Sequence, residues 1–195
     1  MSAGNGLVFT EFRVDPLPAE FASWHSVEHV GERLAIEGVR SARRYVALDD
    51  PQTFLGYYRA ERWEVFMTDA YRGLAANMSA TTQRMLAYVK GSRCVGEIVR
   101  ETRSGYGGYA LRIRFTGGAE ADQLRLDWYD RSSALLIATP GICAAMLLLP
   151  RRDLPNVDDA NVLALIEGYD LGALERAGTI DGASSRLYRL EHLFA

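Results

Sequence analysis

Gly38-Val39-Arg40-Ser41-Ala42 and Gly141-Ile142-Cys143-Ala144-Ala145 each open a β-rich run directly after a long helical segment. A glycine just past a helix end readily takes the left-handed conformation that turns the chain out of the helix. The same punctuation met twice in one chain predicts an internal repeat of pattern, and repeats are read before motifs because they set the architecture. Residues 6–102 read strand, helix, strand, strand, helix, strand. Residues 107–194 read the same way, with a shorter second helix.

Upstream of Gly38, the strand Leu7 to Val14 is stopped by Asp15-Pro16-Leu17-Pro18, where proline removes donors and favours a helix start. The following helix runs to about Ile36. Its Phe21, Trp24, Val27, Val30 and Leu34 recur at three- and four-residue steps, which predicts one buried stripe. Strands Val39 to Leu48 and Phe54 to Ala60 flank the turn Asp49-Asp50-Pro51. A helical region from Trp63 to Tyr88, broken near Asn77 to Ser79, leads to the strand Arg93 to Arg100. Ser104-Gly105-Tyr106-Gly107-Gly108 reads as a linker. Beyond it, Tyr109, Leu111, Ile113 and Phe115 alternate with Arg112 and Arg114 in the clearest half-buried strand of the chain.

Each half is thus a βαββαβ unit of ferredoxin-like type, residues 1–103 and 104–195. Two helices cover one face of such a sheet and leave the other bare. An uncovered sheet face would be a large apolar patch, so the expected fold is α+β: two tandem ferredoxin-like units pairing through their sheets as a barrel within one chain.

Composition narrows the function classes. The 195 residues are 48% hydrophobic and 24% charged, as in an ordinary globular protein. A net charge of −3, with almost all basic residues arginine and spread along the chain, gives no clustered basic face for nucleic acid. The charge-free stretch Ser132 to Leu149 is long enough to span a bilayer, but Pro140-Gly141 splits it into a helix end and a strand. No membrane span is expected, and no basic-then-apolar leader is read at the N-terminus. Cys94 and Cys143 fall in predicted strands, where buried reduced thiols fit a cytoplasmic setting. The glycines at 105–108 lack phosphate-loop spacing and precede a strand rather than a helix.

Between Trp24 and Tyr45, the residues Trp24, Glu28-His29, Glu32-Arg33-Leu34, Gly38 and Ala42-Arg43-Arg44-Tyr45 resemble the first helix and second strand of the dimeric α+β barrel superfamily, in particular EthD-like proteins. The resemblance is closest over residues 7–100 and topological over 107–194. It implies a pocket between sheet and helices and a cofactor-free monooxygenase, cyclase or isomerase. It also implies a functional histidine at His29. Gly31 and Glu37 stand where prolines are common in that pattern.

The residues themselves leave alternatives open. His25 and His29 are one helical turn apart. At 100° per residue Glu28 falls inside the apolar arc, with both histidines on its edge. A carboxylate buried there needs a partner, and a histidine beside it is suited to general acid–base work. The plain reading is two half-exposed histidines and a Glu28 salt bridge to Arg43 or another strand arginine. A third reading takes His25-Ser26-Val27-Glu28-His29 as an H-x-x-E-H zinc motif, with Glu97 or Glu101 as a further ligand. On the strands, Arg43 and Tyr45 share one face, while Tyr58 shares another with Phe54 and Gly56. If the helices cover Leu111, Ile113 and Phe115, then Arg112 and Arg114 line the interior, neutralised by Glu97 or Glu167.

The expectation is an enzyme without cofactor or metal, acting on a small aromatic or polyketide-like molecule. His29, Glu28 and His25 carry its catalysis, and Trp24, Arg43, Tyr45, Tyr58, Arg112 and Arg114 bind its substrate. A non-catalytic ligand-binding or scaffold barrel is the alternative. The partner expected is a small-molecule ligand, with neither nucleic acid nor membrane, and association into a homodimer stays open.

Overall fold

The computed structural model describes residues 5–154, 161–178 and 180–194. The chain begins with β1 (Gly6–Val14), α1 (Phe21–Trp24), a π-helical turn (His25–His29), α2 (Val30–Leu34), β2 (Val39–Ala47) and β3 (Thr53–Ala60). A 3-10 turn (Trp63–Met67) then leads to α3 (Asp69–Ala76), α4 (Ala80–Leu86) and β4 (Val89–Arg103). The rest comprises β5 (Tyr109–Phe115), a 3-10 turn (Ala119–Ala121), α5 (Asp122–Ala138), β6 (Ile142–Pro150), β7 (Val162–Gly168), α6 (Leu171–Ala177) and β8 (Ala183–Phe194).

Among the described residues these eight strands close into one antiparallel barrel, in the order β1-β3-β2-β8-β5-β7-β6-β4. Two seams complete the closure, β2 with β8 and β4 with β6. Gly38 and Gly141, the residues that open the two quoted segments, both have positive φ, 91° and 98°. β4 is longer than its apolar core suggests because it serves two neighbours. Val89 pairs with Val14 of β1 at one end, and Arg103 with Ala144 of β6 at the other.

Alternation along the strands sorts side chains between inside and outside. Leu7 and Phe9, Tyr45, Leu55 and Tyr57, Cys94, Ala110, Met146, Leu165 and Tyr188 form one buried cluster inside the barrel. Leu111, Ile113 and Phe115 face outward beneath α5 and α6, so Arg112 and Arg114 line the interior as expected. Their acidic partner is neither Glu97 nor Glu167 but Glu11, at 2.7 and 2.9 Å. Register explains this. Glu167 pairs with Ala110 on β5, so Arg114 sits four residues along the strand from it, over 10 Å away at about 3.4 Å per residue. Glu97 pairs instead with Arg151.

Glu167 holds the other end of the interior. It accepts from Arg43 at 2.7 Å, Arg103 at 3.0 Å and the Tyr57 hydroxyl at 3.0 Å. A bulge in β4 between Ile98 and Arg100 makes this possible. One extra residue reverses which side chains face inward. Arg100 turns out to Asp130 on α5, and Arg103 reaches Glu167 inside. Burial alone would raise the Glu167 carboxyl, but Arg43 and Arg103 outweigh it and hold it below the usual range. Removing one partner of such a buried cluster leaves uncompensated charge and costs about 3–5 kcal/mol. Glu167→Ala is therefore expected to lower the urea midpoint strongly. Asp130→Ala, which breaks a surface pair, should leave it nearly unchanged.

Candidate functional site

The outer face of β1, β3 and β4 is covered by the first set of helices, but not flush. Between them lies a cavity of about 650 Å³, within the range typical of small-ligand sites. Its floor is Val8, Thr10 and Phe12 of β1, Tyr58 of β3 and Gly91 to Arg93 of β4. Its walls are Phe21, Trp24, His25, His29 and Arg33 on one side, and Phe66, Met67, Tyr71, Arg72, Ala75 and Leu86 on the other. Over the corresponding face of the second half, side chains take up the room. Tyr129 of α5 is buried there with its hydroxyl donating to the Ala145 carbonyl at 2.7 Å, and Trp128 packs edge-on against Phe115.

The π-helical turn decides which side chains see the cavity. The amide of Val30 bonds to the carbonyl of His25, five residues back, so the turn holds one residue more than an α-helical one. That extra residue breaks the regular 100° progression. Val27, expected in the buried stripe, is 76% exposed. Glu28, expected inside the apolar arc, faces α4 instead. Its carboxylate accepts from Ser79 Oγ and from Thr82 Oγ1 at 2.7 Å, and Thr82 Oγ1 in turn accepts from Trp24 Nε1 at 3.0 Å. Those two hydroxyls hold the Glu28 carboxyl below its ordinary pKa. Glu28 thus ties the turn to α4. It is bonded neither to an imidazole nor to Arg43.

Both histidines line the cavity. His25 stacks on Phe12 at 6.0 Å between ring centroids and lies 5.7 Å from Phe21. His29 lies 4.9 Å from Trp24 and 5.0 Å from His25. The Nδ1 atoms of both rings are buried without a hydrogen-bond partner among the described residues. Burial, then the charges of Arg44 and Arg33, push His25 down to about 3. Burial, then Arg33 and His25, hold His29 well below 6.5. Two neutral imidazoles therefore face the cavity at pH 7. Tyr58 faces the same space, and burial raises its hydroxyl above the ordinary phenol range. Arg33 is fixed by donating to the His29 carbonyl at 2.6 Å.

The structure brings together His25, His29, Trp24 and Tyr58. It separates the rest. Arg43 and Tyr45 lie inside the barrel on Glu167, on the far side of the sheet from Tyr58, and Arg112 and Arg114 are bound to Glu11 at the other end. The residues missed were Arg33, Arg72, Arg93, Phe12 and Tyr71, which come from four segments. Only Arg33 carried a local signal, four residues after His29 and so on its face of the helix. The zinc reading loses support, because no three His, Cys, Asp or Glu side chains gather into a metal-holding group among the described residues. Glu101 is committed to Arg59 and Arg103. Cys94 and Cys143 are buried and free. No helix among the described residues is long and apolar enough to cross a membrane.

A mixed fold closed around eight antiparallel strands, with a cavity between sheet and helices, is the dimeric α+β barrel fold. Solved structures with this fold superpose over nearly the whole chain. An anthrone oxidase-like protein matches with a TM-score of 0.68 at 14% identity, covering 97% of this chain and 92% of its own. A candidate monooxygenase from Fusobacterium nucleatum matches at 0.64 with 12% identity, covering 100% and 95%. A mutant chlorite dismutase from Candidatus Nitrospira defluvii matches at 0.63 with 15% identity, covering 98% and 92%. No family profile matches the chain, and no curated protein matches it.

The two imidazoles make stability depend on pH. Both are harder to protonate in the folded chain, so below pH 6.5 the unfolded chain binds more protons and acid favours unfolding. Each histidine contributes a slope on the order of 1.4 kcal/mol per pH unit. The carboxylates Glu11 and Glu167 are shifted below 4.5 and add their loss only at lower pH. Urea midpoints are expected to fall as pH drops from 6.5 to 5, and His25→Phe should flatten that limb.

Proposed function

We propose that this chain is a small-molecule enzyme of the EthD-like kind, built from two βαββαβ units. It works without a cofactor on a small aromatic or polyketide-like molecule held between the first sheet and its helices. A monooxygenase-type reaction is favoured over cyclisation or isomerisation, in keeping with the names of the structural neighbours. The observation that carries the reading is the pairing of an otherwise apolar cavity with two neutral, unpartnered imidazoles and a tyrosine hydroxyl. Neutral histidines can accept a proton, and an aromatic lining suits a planar ring. His29 is assigned the proton transfer, with His25 and Tyr58 beside it. Trp24 stacks on the substrate, and Glu28 acts as a positioning residue through Ser79 and Thr82. Buried free thiols accord with a cytoplasmic setting.

Removing a proton from an acidic ring C–H leaves an enolate or phenolate, which is electron-rich enough to react with dioxygen. Anthrone is the natural probe, since one anthrone and one O2 give one anthraquinone and one water. The wild type is expected to consume O2 with anthrone. His29→Ala is expected to lose about 10²-fold or more in rate, the usual worth of a general base, while keeping its melting temperature within a few degrees. Undiminished turnover in His29→Ala would rule out the assignment. Saturable anthrone binding with no O2 uptake in the wild type would favour a non-catalytic ligand-binding barrel.

A further inference from the structure

The charged residues lining the cavity are all of one sign. Arg33, Arg72 and Arg93 line it, and no aspartate or glutamate does. They come from three separate segments, α2, α3 and β4, so no local feature of one helix accounts for their convergence. Compensation on the helices is weak. Glu32 stands 3.8 Å from Arg33, and Asp69, fully exposed, stands 3.5 Å from Arg72. Surface pairs of that kind cancel little of an arginine's field. Arg93 lies over Tyr71, with its guanidinium carbon 5.9 Å from the ring centroid. The interior is different in kind: aromatic rings, with His25 nine-tenths buried and its Nδ1 unpartnered. A cavity with an apolar body and cationic residues among its lining matches a ligand with the same division.

Resting on the reading of this cavity as the ligand site, we infer that it selects an aromatic anion, one carboxylate or phenolate on a fused-ring body. The anionic oxygens sit against Arg33, Arg72 and Arg93, which suits guanidinium geometry. The rings lie inward against Phe12, Phe21 and Trp24, next to the two imidazoles. Positive charge without a counter-ion also favours the ionised form of a phenolic substrate, so one set of residues binds the ligand and keeps it deprotonated.

The test is calorimetric titration of the full chain with 2-naphthoate and 9-anthroate, each against its methyl ester, at pH 7.5 and low salt. The acids are expected to bind at least tenfold more tightly than the esters, with the gap shrinking as salt is added. Arg72→Gln/Arg93→Gln should bring the acids to the esters' affinity and leave ester binding as it was. Arg33 is left in place because it also holds the His29 carbonyl. Equal binding of acid and ester by the wild type would overturn the anion preference and leave the cavity as a ligand site. A preference that survives in the double variant would overturn the role of these arginines. Binding of neither acid nor ester would overturn both this inference and the reading on which it rests.

Discussion

A barrel of eight strands has an inside just wide enough to be filled by side chains, so each inward residue must be apolar or find a partner there. That constraint organises the molecule. The middle is filled by Leu7, Phe9, Leu55, Met146 and Leu165. Each end is occupied by one carboxylate gathering arginines and tyrosine hydroxyls, Glu167 at one and Glu11 at the other. Such clusters add little net stability over apolar packing, but a missing member is costly. With the inside full, a ligand has to bind outside, where helices lie on the sheet.

Two departures from regular geometry then place the functional groups. The bulge in β4 lets one strand present Val99 and Arg100 to the second set of helices and Arg103 to the interior. The π-helical turn does the equivalent on a helix, aiming two imidazoles at the cavity while Glu28 faces the next helix. Each adds a single residue to a regular element, and each changes what every later side chain faces.

The same two departures mark the limit of what the sequence disclosed. Element order and the closed α+β architecture were legible because they rest on alternation, as in Tyr109 to Phe115, and on punctuation, as at Gly38 and Gly141. The nearness of His25 to His29 was legible because four residues on any helix lie on one side. Glu28 was misplaced because a helical wheel assumes one turn size, and the positions after His25 no longer obey it. Arg43 and Tyr45 were grouped with Tyr58 because strand parity tells which residues share a face but not which face meets the helices. The convergence of Arg72 and Arg93 with Arg33 is a product of the fold, and no local pattern encodes it.

Both seams of the barrel, β2 with β8 and β4 with β6, join strands of a single polypeptide. Where such a barrel is assembled from separate subunits, closing it is an association, and dilution pulls it apart by mass action. Here the ends of the seam are tethered and their encounter is intramolecular. The closed state, and with it the cavity on its flank, is therefore populated independently of protein concentration, down to whatever level the cell or the assay supplies.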